Sequence, residues 1–247
     1  VARIICIANQ KGGVGKTTTA INLADALAKS GQQTLLVDLD PQCNATSGLG
    51  LKPSLHHPLV SDGPVAEEIR STENPRLKML PGSRSFQDID ELAAGPDARR
   101  HKLQQHIAST KQNFDFILID CPPSLGALTR AALSSADEVL MPIQCEYFAM
   151  EGLTQMIEVI RDVMQRRKGM LQFGGILLTM YDSSLELTRE VDREVRDFFG
   201  EIVFKNVIPR DVAVAESVSH GSTVLDYAPR SRGCRAYIEL CMEVLNA

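Results

Sequence analysis

Gln10-Lys11-Gly12-Gly13-Val14-Gly15-Lys16-Thr17-Thr18 stands between a short apolar run, Arg3 to Asn9, and a stretch with Ala20, Leu23, Ala24, Leu27 and Ala28 on one face. The run before it has the continuous apolar character of a strand buried on both sides. The stretch after it has helical spacing and stops at Gly31. Gln33 to Asp38 is a second apolar run. Strand, loop, helix and strand in that order make a βαβ unit, which implies a parallel pair.

Glycines in such a loop bring backbone N–H groups close to an anion, because no Cβ intervenes. The helix that follows adds its positive end. Lys16 supplies a point charge for β- and γ-phosphates, and Thr17 a hydroxyl for Mg²⁺. Gly12, Gly13, Val14, Gly15 and Thr18 complete the loop. In the common pattern, G-x-x-x-x-G-K-[ST], the first glycine would fall at position 10, which is Gln10 here. The end of the pattern is met, and Gly12 and Gly13 supply the freedom inside the loop.

Two carboxylates end apolar runs: Asp38, and Asp120 at the close of Phe114 to Asp120. In open α/β sheets the carboxyl ends of strands are where ligands bind. Asp40 follows in D-L-D-P-Q, with Pro41 restraining the chain behind it. Further strands are read at Leu77 to Leu80, Glu138 to Ile143, Gly175 to Met180 and Ile202 to Ile208. Helices are read at Glu186 to Phe199 and Arg235 to Leu245. Met150, Leu153, Met156, Ile157, Ile160, Val163 and Met164 form one more helical stripe, closed by Arg166-Arg167-Lys168-Gly169. Residues 41 to 110 read mostly as loop with short helices. The expected fold is α/β, one P-loop domain over residues 1–247, with a mostly parallel twisted sheet covered by helices on both faces.

Composition limits the function. The chain has 247 residues, 44% apolar and 23% charged, with a formal charge of −5. No global basic field argues for nucleic acid, so any DNA contact needs a local patch. The six cysteines form no C-x-x-C pair and sit with no histidine at zinc spacing. They read as reduced thiols of a cytoplasmic protein. No basic leader with an apolar run opens the chain, and no apolar stretch is long enough to span a bilayer. His56, His57, His101, His106 and His220 are scattered, and no Ser/His/Asp arrangement competes with the glycine loop.

The loop K-G-G-V-G-K-T-T resembles that of the deviant Walker A ATPases, the ParA, Soj and MinD family. The likeness continues through D-L-D-P-Q-C-N-A-T-S-G-L-G (Asp38 to Gly50), D-C-P-P-S-L-G (Asp120 to Gly126) and Q-C-E-Y-F-A-M-E-G (Gln144 to Gly152). It extends to L-L-T-M-Y-D (Leu177 to Asp182), V-I-P-R-D-V (Val207 to Val212) and Y-A-P-R-S-R-G (Tyr227 to Gly233). These segments are most similar to the ParA/Soj branch. The resemblance implies slow hydrolysis of ATP with Mg²⁺, in a homodimer formed on ATP binding. It gives Lys11 a reach to the phosphates held by the partner subunit. It gives Asp40 the attacking water, Thr17 the direct Mg²⁺ contact, and Asp38 and Asp120 indirect ones. Pro209 to Asp211 would cradle adenine, and Glu146 and Glu151 would lie on the dimer face.

The family also implies a ParB-type partner, non-specific DNA binding by the ATP dimer, and a nucleoid-associated cytoplasmic location. Two departures stand out. Cys43 occupies a position where glycine is usual. Ser184, Ala213 and Ser222 stand where relatives often carry Arg or Lys, leaving Arg189, Arg193, Arg210, Arg230, Arg232 and Arg235 for phosphates. A MinD-like membrane helix would need basic residues along its polar face, and Arg235 to Ala247 has one at its start and two Glu. Pro123 stands where an iron-sulfur relative carries its cluster cysteine. The four tyrosines are too dispersed for a tyrosine-kinase tail. A ParA-like ATPase that positions another cargo has the same sequence features.

Overall fold

The computed structural model of the protein describes residues 2–55, 57–59, 63–88, 102–146, 149–166 and 170–247, with side chains described except at 87–88 and 149–152. His56, His101, Tyr147 and the Arg167-Lys168-Gly169 stop fall outside the described residues, as do the side chains of Met150 and Glu151.

Seven strands form one sheet: β1 Arg3–Ile7, β2 Thr34–Asp38, β3 Arg70–Ser71, β4 Leu77–Leu80, β5 Phe116–Asp120, β6 Glu138–Gln144 and β7 Gln172–Thr179. Their spatial order is β3-β4-β2-β5-β1-β6-β7. All neighbours pair in parallel except the two-residue edge strand β3, which is antiparallel to β4.

Ten helices lie among the described residues. They are α1 Lys16–Lys29, α2 Asn44–Gly48, α3 Val65–Glu68, α4 Lys102–Thr110, α5 Ala127–Ser135, α6 Ala149–Arg166, α7 Glu186–Phe199, α8 Val212–Ser219, α9 Val224–Tyr227 and α10 Arg232–Asn246.

The continuous apolar runs follow from burial on both faces. Ile4 and Cys6 of β1, Leu35 and Val37 of β2, and Ile117 and Ile119 of β5 enter one core with side chains of α4, α5, α6 and α7. Ile5, Ile7, Leu36 and Leu118 alternate into the other, against α1, α8, α9 and α10. Each fully buried Leu or Ile contributes roughly 1.5–3 kcal/mol. The methionine stripe is core: Leu153, Met156 and Ile160 of α6 are fully enclosed.

One expected strand does not form. Ile202 to Ile208 begins in the 3-10 turn Gly200–Ile202 and touches the sheet only through isolated bridges, Ile176 to Val203 and Tyr181 to Pro209. Only the amides of Phe204 and Ile208 reach β7 carbonyls, so the segment runs beside the edge without a ladder. The region 41–110 holds more helix than expected, since α4 spans nine residues. β7 starts three residues before the expected Gly175.

Register fixes the site. Asp120 pairs with Ile7 on one side and with Asp38 on the other. The loops leaving β1, β2 and β5 therefore emerge side by side at one edge of the sheet. Behind them, α2 packs closely on side chains of α1 and α8, and the residues after it meet the 212–227 segment backbone to backbone. A Cβ on Gly48 would lie 2.6 Å from Ile21 of α1, and one on Gly221 would lie 3.1 Å from the Cα of Gly50.

Candidate nucleotide site

The loop between β1 and α1 is built by two left-handed glycines, Gly13 at φ 77° and Gly15 at φ 84°. An L side chain at either would be strained. Gly15 is also the N-cap of α1, and no side chain caps that helix. The first-turn N–H groups of α1 are thereby left for a ligand. Among the described residues no group accepts from the N–H of Gly12, Gly13, Val14 or Gly15. Asn9, buried at the exit of β1, donates to the Pro142 carbonyl and accepts from Lys11 N–H, which fixes where the loop departs.

Lys16 is buried, and its Nζ donates to the Lys11 carbonyl at 2.8 Å. Burial lowers its pKa, and the charges of Asp120, Cys121 and Asp40 oppose that shift. Its ammonium is therefore curled over the loop, facing the carboxylates.

Asp38 is fully buried. Its carboxylate accepts from Asp40 N–H at 3.0 Å, Thr46 N–H at 2.9 Å and Thr46 Oγ1 at 2.6 Å. Desolvation still pushes its pKa up to about 6, against the pull of the Thr46 bonds. Thr46 is anchored in turn, since its Oγ1 accepts from Gly82 N–H at 2.8 Å. Gly82 is itself constrained: a Cβ there would lie 2.9 Å from Asp38 Cγ. Thr46 lies within the Asp38 to Gly50 segment, and Gly82 is marked in the sequence only by a Pro-Gly pair directly after β4.

Asp120 is the unusual group. Both its carboxylate oxygens are buried without a hydrogen-bond partner. Desolvation raises its pKa well above the carboxylate range, the Asp38 charge adds to this, and the Thr17 hydroxyl and Lys16 lower it. A buried carboxylate beside a second one, with a hydroxyl and an ammonium at hand, is matched to a cation with oxygen ligands. The donor set suits Mg²⁺. Asp40 is nearly buried and caps the next turn by accepting from Gln42 N–H at 2.8 Å, while its own carbonyl accepts from Cys43 N–H.

Cys43 is left-handed at φ 55°. That conformation costs an ordinary residue about 1–2 kcal/mol. Here it is the N-cap of α2, whose other end Gly48 packs against α1. Burial raises the Cys43 thiol to about 11, so it is inert at neutral pH. All six cysteines are buried and unbridged.

The remaining expected residues are distributed as follows. Pro209 bridges to Tyr181 just beyond β7. The Asp211 carboxylate is committed to backbone donors, Ala213 N–H at the start of α8 and Gly233 N–H at 2.8 Å. It holds the segment in place by capping. Lys11 points back along its own subunit, its Nζ 2.9 Å from Glu146 Oε2. Arg189, Arg193, Arg210, Arg230, Arg232 and Arg235 are all exposed, and Arg210 and Arg232 both act on Asp182. α10 buries Tyr237, Leu240, Cys241 and Val244, as a packing helix does. Among the described residues no helix is long and apolar enough to cross a membrane.

The AAA domain family matches residues 2–173. The chain is 44% identical to the chromosome partitioning protein ParA of Myxococcus xanthus, covering 100% of this chain and 89% of that one. It is 43% identical to the sporulation initiation inhibitor protein Soj of Bacillus subtilis, over 99% of this chain and 98% of that one. The chain belongs to the ParA/MinD family of deviant Walker A ATPases. Among solved structures, cobyrinic acid a,c-diamide synthase from Mycobacterium smegmatis with bound ADP and magnesium superposes with a TM-score of 0.87 at 33% identity. The match covers 100% of this chain and 95% of that one. The likeness spans the whole chain and so includes both core layers.

Proposed function

We propose that this chain is a ParA-like switch: it binds MgATP, dimerises on it, hydrolyses it slowly and thereby times its hold on DNA for chromosome or plasmid partition. The observation that carries the reading is the convergence of Lys16, Asp38, Asp40 and Asp120 on one glycine loop. Gly12 to Thr18 would receive the phosphates, with Lys16 on the β- and γ-oxygens. Thr17, with Asp38 and Asp120 behind it, would hold Mg²⁺, which supplies charge neutralisation on the phosphates. Asp40 would orient the attacking water. Lys11 would leave Glu146 and stabilise phosphoryl charge in the partner subunit, as an arginine finger does. Pro209 would border the base, in a position fixed by Tyr181 and Asp211. Nothing in such a site needs a covalent intermediate; positioning and electrostatics suffice.

The exposed arginines 189, 193, 210, 230, 232 and 235 are the available phosphate contacts for DNA. With neutral residues at Ser184, Ala213 and Ser222, that contact is expected to be weaker and its dependence on salt flatter. A ParB-type partner would speed turnover. The test is ATPase turnover of the full chain, alone, with DNA, and with DNA plus a partner peptide. Turnover absent in the wild type and unchanged by Lys16→Ala would overturn the catalytic reading. Turnover that ignores DNA and gives no MgATP-dependent DNA retention at low salt would move the cargo away from the nucleoid.

A further inference from the structure

We propose that Thr179, the last residue of β7, is a positioning residue for the phosphate loop, because its hydroxyl sets the orientation of the Val14–Gly15 peptide. The proposal rests on the reading of that loop as a polyphosphate site. Thr179 Oγ1 lies 2.8 Å from the Val14 carbonyl oxygen and 3.0 Å from the Ile143 carbonyl oxygen. A hydroxyl has one proton, so the two acceptors share it. The side chain is buried, and no solvent can take its place.

A trans peptide is planar, so the carbonyl of Val14 and the N–H of Gly15 point in opposite directions. Holding that carbonyl toward β7 turns the Gly15 N–H away from β7, to the side where α1 begins. Gly15 packs on the same residue: a Cβ there would lie 3.7 Å from the Thr179 methyl. One threonine thus supports the loop from beneath and aims one of its donors.

The next two residues extend the consequence. Met180 is left-handed at φ 50°, a conformation ordinary residues seldom adopt. It turns the chain so that Tyr181 N–H donates to the Ile208 carbonyl and the Tyr181 carbonyl accepts from Arg210 N–H, both at 2.9 Å. Residues 179–181 therefore hold the phosphate loop on one side and the Pro209 segment on the other. The end of β7 is the spacer that sets the distance between the two.

The experiment compares full-length wild type, Thr179→Val, Thr179→Ala and Thr179→Ser, with Lys16→Ala as a control. The readouts are affinity for a fluorescent ADP with Mg²⁺, melting of the free protein, and the Gly15 amide resonance titrated with Mg²⁺-pyrophosphate. Valine keeps the shape and removes the hydroxyl; serine keeps the hydroxyl. We expect Val and Ala to bind ADP about tenfold more weakly and to lose the Gly15 downfield shift, with Ser close to wild type. If Val fails to melt cooperatively, Ala carries the same comparison. Wild-type affinity and an intact Gly15 shift in Val and Ala overturn the proposal, and so does a Ser variant as weak as Val. Should wild type and Lys16→Ala alike fail to bind ADP, the polyphosphate reading falls and takes the proposal with it.

Discussion

Lys11 Nζ and Glu146 Oε2 are 2.9 Å apart within one subunit, at the open rim of the loop. Both side chains are more than a third exposed, 36% and 48%. An ion pair that wet is worth about 0–1 kcal/mol and weakens with salt. The lysine is therefore held loosely enough to be given up to a better anion. Lys11→Ala is expected to leave melting within a degree or two and nucleotide binding intact, while light scattering shows loss of the MgATP-dependent dimer. A variant that dimerises like wild type would remove the cross-subunit role.

Asp40→Ala is expected to keep nucleotide binding and to block turnover, leaving the dimer trapped. Asp40 is not needed to build the phosphate loop, and its carboxylate bonds only to the Gln42 N–H. Light scattering in MgATP would show a persistent dimer. A variant that stays monomeric would contradict the water-orienting role.

Gly82→Ala is expected to damage the cation site more than the fold. The added carbon would lie 2.9 Å from Asp38 Cγ, so the carboxylate or the Leu80–Ser83 turn must shift. The expected cost is about 1–3 kcal/mol in denaturant unfolding. ADP affinity should lose most of its dependence on Mg²⁺ while Mg²⁺-free affinity stays near wild type. Unchanged Mg²⁺ dependence would show that Asp38 does not serve the metal.

His57 predicts an acid sensitivity away from the site. It is buried against Phe86, edge to face at 4.6 Å, and its Nδ1 accepts from Leu59 N–H. Burial, with His106 and Lys102 nearby, lowers its pKa to about 3. The folded value lies below the unfolded one, so between the two the unfolded chain binds the extra proton. Its contribution is complete above about pH 6.5 and declines as pH falls toward 3. Between pH 6.5 and 5 the loss should be about 2 kcal/mol. Denaturant melts of His57→Leu at the two pH values should show that portion of the slope gone; the same slope as wild type would refute the assignment.

Much of this was legible in the chain itself. β1, β2, β5 and β6 are doubly buried, so their composition is unmistakable, and Asp38 and Asp120 stand at their ends. The phosphate loop was readable because strand, glycines and helix must follow each other. Ile202 to Ile208 has the composition of a strand, but it carries no ladder and is docked through single bridges, which composition does not record. α5 and α8 are short and rich in small residues, and α9 has only four residues, so their periodicity is faint. Thr179 and Thr46 act through hydroxyls aimed at residues 165 and 8 positions away, and only the fold brings those partners together. The resemblance leads one to expect glycine at position 43, and the left-handed backbone that Cys43 adopts is the conformation glycine takes most readily.

Gly50 and Gly221 face each other with almost no room between their main chains. Side chains normally act as cushions, changing rotamer to absorb a small displacement, and here there are none to do so. A shift of a few tenths of an ångström in residues 40–50 must be passed on as motion of the 212–227 segment or be refused altogether. With the role proposed for Asp40, the site at one end of that stretch and the outer surface at the other would be mechanically in gear.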